Sequence, residues 1–227
     1  MKKWIKRIGI GVLVVLLVGG AGIVWYLSDT EKPTAQAQAA YETATMQSES
    51  IAAFLTEGTV GVIFYPGGKV EAPAYARLMK DLQSNGINAF LVSMPVNLAV
   101  FDADKAQDVI ALNPQIETWI LAGHSLGGAM AFDEFSKHPE TYAGLVLLAA
   151  YPLTETDRDV LIIGATNDKV LDRDKLDGFD VAWIEGGNHA QFGDYGDQAG
   201  DGGATITEAQ QRQHVLALIL DYLDQLN

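Results

Sequence analysis

The sequence predicts an α/β domain, a mostly parallel sheet with helices on both faces, preceded by one apolar N-terminal helix. Three observations predict it. Short apolar runs alternate with stretches of helical spacing from about residue 59 onward, the pattern of βαβ units. Those runs show little period-two alternation, as strands buried on both faces do. A twenty-residue stretch without a charge, Ile8 to Leu27, follows directly on a basic cluster.

A helix over Ile8–Leu27 would be about 30 Å long, the thickness of a bilayer's hydrocarbon core. Trp25 and Tyr26 stand at its outer end, Lys2, Lys3, Lys6 and Arg7 before it, and Asp29 and Glu31 after it. The positive-inside rule then makes residues 1–7 a cytoplasmic tail and 8–27 a single-pass signal-anchor, transmembrane helix in the cell membrane, with the body outside. The rival reading is a secreted protein, cleaved at Ala35-Gln36-Ala37 or Ala37-Gln38-Ala39. Residues 28–48, rich in Ala, Gln, Thr, Ser and Glu, read as a flexible tether, and 49–227 as the folded domain.

Within the domain, Thr59 to Tyr65 is a β-rich run ending in Pro66-Gly67-Gly68. Tyr75, Leu78, Met79 and Leu82 share a helical face, stopped by Asn85-Gly86. Asn88 to Val92 is the next strand. Ala103, Ala106, Val109 and Ile110 mark a helix that ends at Asn113-Pro114. Trp119 to Ala122 is a strand, followed by Gly123-His124-Ser125-Leu126-Gly127-Gly128 and a helix to about Lys137. Leu145–Ala149, Val160–Ile163 and Val181–Ile184 are three further strands. Thr207 and Gln210 form a capping box for a last helix with Val215, Ile219, Tyr222 and Leu226 on its apolar stripe.

Composition narrows the function. The 227 residues carry a formal charge of −14, with four of the fifteen basic residues in the first seven positions. So acidic a body would be repelled by nucleic acid. The absence of Cys excludes disulfides, thiolate metal sites and a cysteine nucleophile.

Gly123-His124-Ser125-Leu126-Gly127 fits the G-x-S-x-G pattern between a strand and a helix. There the glycines allow a tight turn that exposes the serine, beside the positive end of a helix. A serine hydroxyl needs a base, and the base an orienting acid. Of the four histidines, His124 lies inside the turn, His138 at a helix end before Pro139, and His214 within the last helix. His189 follows the last strand, at a strand C-terminus where open α/β sheets build their sites. Asp168, after the penultimate strand, is the candidate acid; Asp174 and Asp177 lie further from the strand end. An oxyanion would be held by backbone N–H groups, one from Leu126 and one from Gly68 or its neighbour Gly67. Neither a cofactor nor a metal is called for. The acids of the Asp194–Asp201 loop lack the alternating spacing of a calcium loop.

Together these residues resemble the α/β-hydrolase superfamily, in its small bacterial branch related to dienelactone hydrolases. The resemblance rests on Tyr65-Pro66-Gly67-Gly68, the Gly123–Gly128 turn, Asp168 and Gly187-Asn188-His189-Ala190-Gln191-Phe192-Gly193. It implies an α/β-hydrolase fold and a serine hydrolase using a Ser125–His189–Asp168 triad on a small-molecule ester or related acyl substrate. Dienelactone hydrolases themselves use a cysteine where Ser125 stands. Only Tyr151 to Arg158 separate two strands that usually flank a lid, so the lid is minimal. An acyltransferase on the same triad, or a surface binding protein keeping the fold, are the alternatives.

Overall fold

The computed structural model describes residues 29–226 and, ahead of them, Gly19, Gly20 and Gly22. The expected membrane helix and basic tail otherwise lie outside the described residues. Among the described residues no helix is long and apolar enough to cross a membrane.

Alternation of side chains along the third strand, β3 (Val60–Tyr65), divides the core into two layers. Val62 and Phe64 point into one layer, Ile63 and Tyr65 into the other. The first layer is covered by α1 (Ala35–Tyr41), α2 (Ala76–Ser84) and α5 (Glu208–Gln225), through residues such as Leu78, Leu82, Val215 and Ile219. The second is covered by α3 (Lys105–Leu112) and α4 (Leu126–Lys137), through Ala106, Val109, Phe132 and Phe135. Because both faces are covered, the central strands are apolar on both faces, which is why their sequences do not alternate. The Thr207 capping box starts α5, with Oγ1 accepting from the Gln210 N–H at 3.2 Å and Gln210 reaching back to the Thr207 N–H at 2.9 Å.

The remaining strands are β1 (Thr45–Ser48), β2 (Ile51–Phe54), β4 (Asn88–Val92), β5 (Thr118–His124), β6 (Gly144–Leu148), β7 (Val160–Ala165) and β8 (Val181–Ile184). The sheet runs β1-β2-β4-β3-β5-β6-β7-β8. β1 and β2 pair antiparallel, as do β2 and β4; every other pair is parallel. At the centre, Tyr65 stands opposite Gly123, and His124 opposite Leu148. The loops after β3, β5, β6, β7 and β8 therefore leave the sheet at one end.

The segment expected as a tether is structured from Glu31 onward. Thr34 caps α1, its hydroxyl accepting from the Ala37 N–H at 3.2 Å. Alanines favour the helix and let it approach closely, so Ala37 is completely buried. The Glu31 N–H donates to the Lys69 carbonyl at 2.7 Å and the Thr34 N–H to the Asp194 carbonyl at 2.7 Å. The polar run Thr45–Ser48 then pairs with β2 as an edge strand. The domain thus begins at Glu31, not at residue 49.

Candidate active site

β5 ends at His124, and the chain turns sharply into α4. Ser125 takes φ 52° and ψ −121°. A side chain rarely adopts such a conformation, and the surroundings hold it there. Its N–H donates to the Leu148 carbonyl at 2.9 Å, tying the turn to β6. The turn lies so close to the loop after β3 that a Cβ on Gly127 would sit 2.2 Å from the Pro66 carbonyl oxygen. At the end of β6, Ala149 is a second strained residue, with φ 45°. Ser125, Ala149 and His189 line one cavity of about 300 Å³, together with Leu126, Ala129, Ala150, Tyr151, Val170, Leu171 and Asp172.

His189 Nδ1 lies 2.8 Å from Asp168 Oδ2, with both side chains almost fully buried. The other Asp168 oxygen accepts from the Val170 N–H at 2.7 Å and the Leu171 N–H at 2.9 Å. Burial alone would raise the Asp168 pKa; the bonds to His189 and to the two N–H groups outweigh it and hold the carboxyl below its ordinary value. A carboxylate is an acceptor, so it fixes the imidazole with the Nδ1 proton directed at Asp168. Ser125 Oγ and His189 share the cavity without a direct hydrogen bond between them.

The two expected donors from the β3 loop differ. The Gly67 N–H is taken, donating to the Tyr75 hydroxyl at 3.0 Å. This corrects the expectation that Gly67 could serve in place of Gly68. Among the described residues the Gly68 N–H has no partner. Gly68 also faces the turn, since a Cβ there would meet Leu126 Cβ at 3.2 Å. Leu126 is the first residue of α4, where backbone N–H groups have no partner within the helix.

Behind Gly67, Tyr75 also contacts His124 Nδ1, at 2.8 Å. The hydroxyl accepts from Gly67 and shares one proton with that nitrogen, while His124 Nε2 is buried without a hydrogen-bond partner among the described residues. Burial, then the neighbouring His189, hold the His124 pKa well below the ordinary histidine value. Its ring packs against that of His189, tilted by 47° with centroids 4.6 Å apart.

The other candidates lie apart from this centre. His138 is exposed at the end of α4, 3.7 Å from Glu134. His214 is exposed on α5. Asp174 and Asp177 are exposed at a short 3-10 turn. In the loop after His189, Asp194 meets Arg77 and Arg212 rather than the cavity. Tyr75's role carries no signal in the sequence, because its spacing with Leu78 and Leu82 reads as a helix's apolar face. Tyr75 in fact ends a 3-10 turn just ahead of α2.

Solved structures share this architecture at low identity. An α/β hydrolase enzyme from the metagenome of sediments of the Mar Chica lagoon, Morocco, superposes with a TM-score of 0.60 at 13% identity, covering 80% of this chain and 98% of that one. Est1E from Butyrivibrio proteoclasticus gives 0.58 at 10%, covering 77% and 94%. The mouse alpha/beta hydrolase domain-containing protein 10 gives 0.52 at 18%, covering 82% and 99%. These likenesses bear on the fold. No curated protein matches the sequence. A family model described as alpha/beta hydrolase matches residues 61–213, a span that begins in β3, passes through the Ser125 turn and both loops beyond it, and ends in α5. That match covers well over half of the sequence, and by it the chain belongs to the alpha/beta hydrolase family.

Proposed function

We propose that this protein is a serine hydrolase that cleaves a carboxylic ester or related acyl substrate through an acyl-enzyme. One observation carries the reading: a strained serine at a strand-to-helix turn shares its cavity with a buried histidine whose far nitrogen is 2.8 Å from an ionised aspartate. In the first half-reaction His189 Nε2 takes the Ser125 proton as Oγ bonds to the substrate carbonyl carbon. The imidazolium then gives that proton to the leaving alcohol as the ester C–O bond breaks. Water repeats the sequence on the acyl-serine and releases the acid. Asp168 orients and stabilises the imidazolium, and the Leu126 and Gly68 N–H groups receive the oxyanion.

The cavity's small walls, Ala129, Ala149 and Ala150, suit a short apolar acyl group. The experiment is hydrolysis of p-nitrophenyl esters of graded acyl length, with labelling by a serine-directed fluorophosphonate. Ser125→Ala is expected to abolish both while its melting temperature stays within about 3 °C of the parent, because one hydroxyl beside a cavity contributes little to stability. Stoichiometric labelling of the Ser125→Ala variant would reject the reading.

A further inference from the structure

His189 follows β8 on a loop, and the peptides on either side of it are both held by side chains from outside that loop. On the N-terminal side the holder is Gln211 of α5, a polar residue with no exposed surface. Its Oε1 accepts from the Asn188 N–H at 3.0 Å, and its Nε2 donates to the Asn188 carbonyl at 2.8 Å. One carboxamide thus satisfies both backbone polar groups of the residue before the histidine.

On the C-terminal side the holder is Asp201. Its Oδ2 accepts from the Ala190 N–H at 2.9 Å, next to His189. Its Oδ1 accepts from the Lys169 N–H at 3.2 Å, next to Asp168, and from the Gly202 N–H at 2.7 Å. A single carboxylate therefore bridges the residue after the base and the residue after the acid. Asn188 strengthens the bridge, with Nδ2 donating to the Gly202 carbonyl at 2.7 Å.

We infer that Asp201 and Gln211 are positioning residues that set the spacing between Asp168 and His189. The inference rests on the proposed triad. The chemistry of each residue fits its place: the three N–H groups on Asp201 are all donors, which suits an acceptor-only carboxylate, while Gln211 faces one donor and one acceptor, which suits an amide.

The test uses Asp201→Asn in the full-length protein. Asparagine turns an NH₂ toward either Ala190 or Lys169 and releases one side of the bridge. Expected are a loss of kcat and of fluorophosphonate labelling rate of about 10-fold, in line with the cost of slight misplacement, with KM within about 2-fold because the cavity walls are untouched. Labelling should still reach full stoichiometry. In a His189→Ala background, Asp201→Asn should slow labelling no further, since there is no base left to position. By NMR, the low-field proton between His189 and Asp168 should broaden or move upfield in Asp201→Asn. A variant with parental kcat and an unchanged proton resonance overturns the inference, and so does an equal fold-loss in both backgrounds, which marks a purely structural part. Should Asp201→Asn fail to fold, Gln211→Glu, which sets an acceptor against the Asn188 carbonyl, is measured in the same way and judged by the same outcomes. Labelling that survives Ser125→Ala would instead reject the triad itself, so the two failures are distinguishable.

Discussion

At the scale of single residues, the Tyr75 hydroxyl joins two features that are far apart in sequence. It accepts from the Gly67 N–H and meets His124 Nδ1, so it braces the loop carrying Gly68 against the turn carrying Ser125. Tyr75→Phe strands a buried N–H and a buried imidazole nitrogen. The expected cost is about 1–3 kcal/mol by urea denaturation, with a fall in kcat larger than that in the population of folded protein explains. Parental stability and kcat together would show that the brace is dispensable. The residues themselves show why such a contact stays hidden. The strand-end positions of Asp168 and His189 follow from the order of elements, and the structure brings the two side chains together at 2.8 Å. The bond that occupies Gly67 depends on a tyrosine eight residues on, whose side chain reaches back beneath the loop. No local pattern marks that.

At the scale of elements, α2 and α5 and the loop after His189 meet in a network of partly buried charge around the buried Asp194. Arg77 pairs with Glu208 at 2.6 Å and with Asp194 at 3.5 Å, while Arg212 pairs with Asp81 at 2.8 Å and approaches Asp194 at 3.8 Å. Burial, then the adjacent Glu208 carboxylate, push the Asp194 pKa up to about 8 against the pull of both arginines. A carboxyl raised above its unfolded value contributes stability that is fully present below the unfolded pKa and is lost as pH rises through the folded one. The protein should therefore lose stability between about pH 4 and pH 8 on account of this group. Asp194→Asn, which keeps the neutral form, should gain on the parent as urea midpoints are measured from about pH 5 to about pH 8 and level off above that. A constant difference across that range would refute the assignment. The elements themselves divide by how loudly their sequences speak. β3 to β8 are apolar runs bounded by turn residues, and they are legible. β1 is the polar Thr-Met-Gln-Ser and β2 the short Ile-Ala-Ala-Phe. Their structure comes from pairing at the sheet edge, which local propensity does not report.

At the scale of the whole molecule, residues 31–44 act as a strap over the site's outer loops. Glu31 bonds to the loop after β3 and Thr34 to the loop after His189, while the Lys80 ammonium on α2 donates to the Thr43 hydroxyl at 2.9 Å. Both small-residue sequences that suggested cleavage fall inside α1, so a cut at either would remove the first two of these bonds. A chain beginning at Ala44 should melt several degrees below one beginning at Asp29, at about 2–4 °C per kcal/mol for a domain of this size. It should also show a lower kcat, since one strapped loop carries Gly68 and the other follows directly on His189. Equal melting temperatures would mean that the strap carries no stability.

The rims of the sheet have a consequence for behaviour in concentrated solution. An open sheet presents unpaired backbone groups at its two outermost strands, where another copy can add a strand and begin an aggregate. Here both outermost strands are four residues long. β1 is polar and its register slips between Met46 and Ser48, which kinks it out of line. β8 carries Trp183, 41% exposed, but the Arg173 guanidinium lies 4.8 Å from the centre of its ring and sets a positive charge beside the strand. A neighbouring molecule finds at one rim a short, bent template and at the other a charged one, and both features disfavour the addition of a further strand.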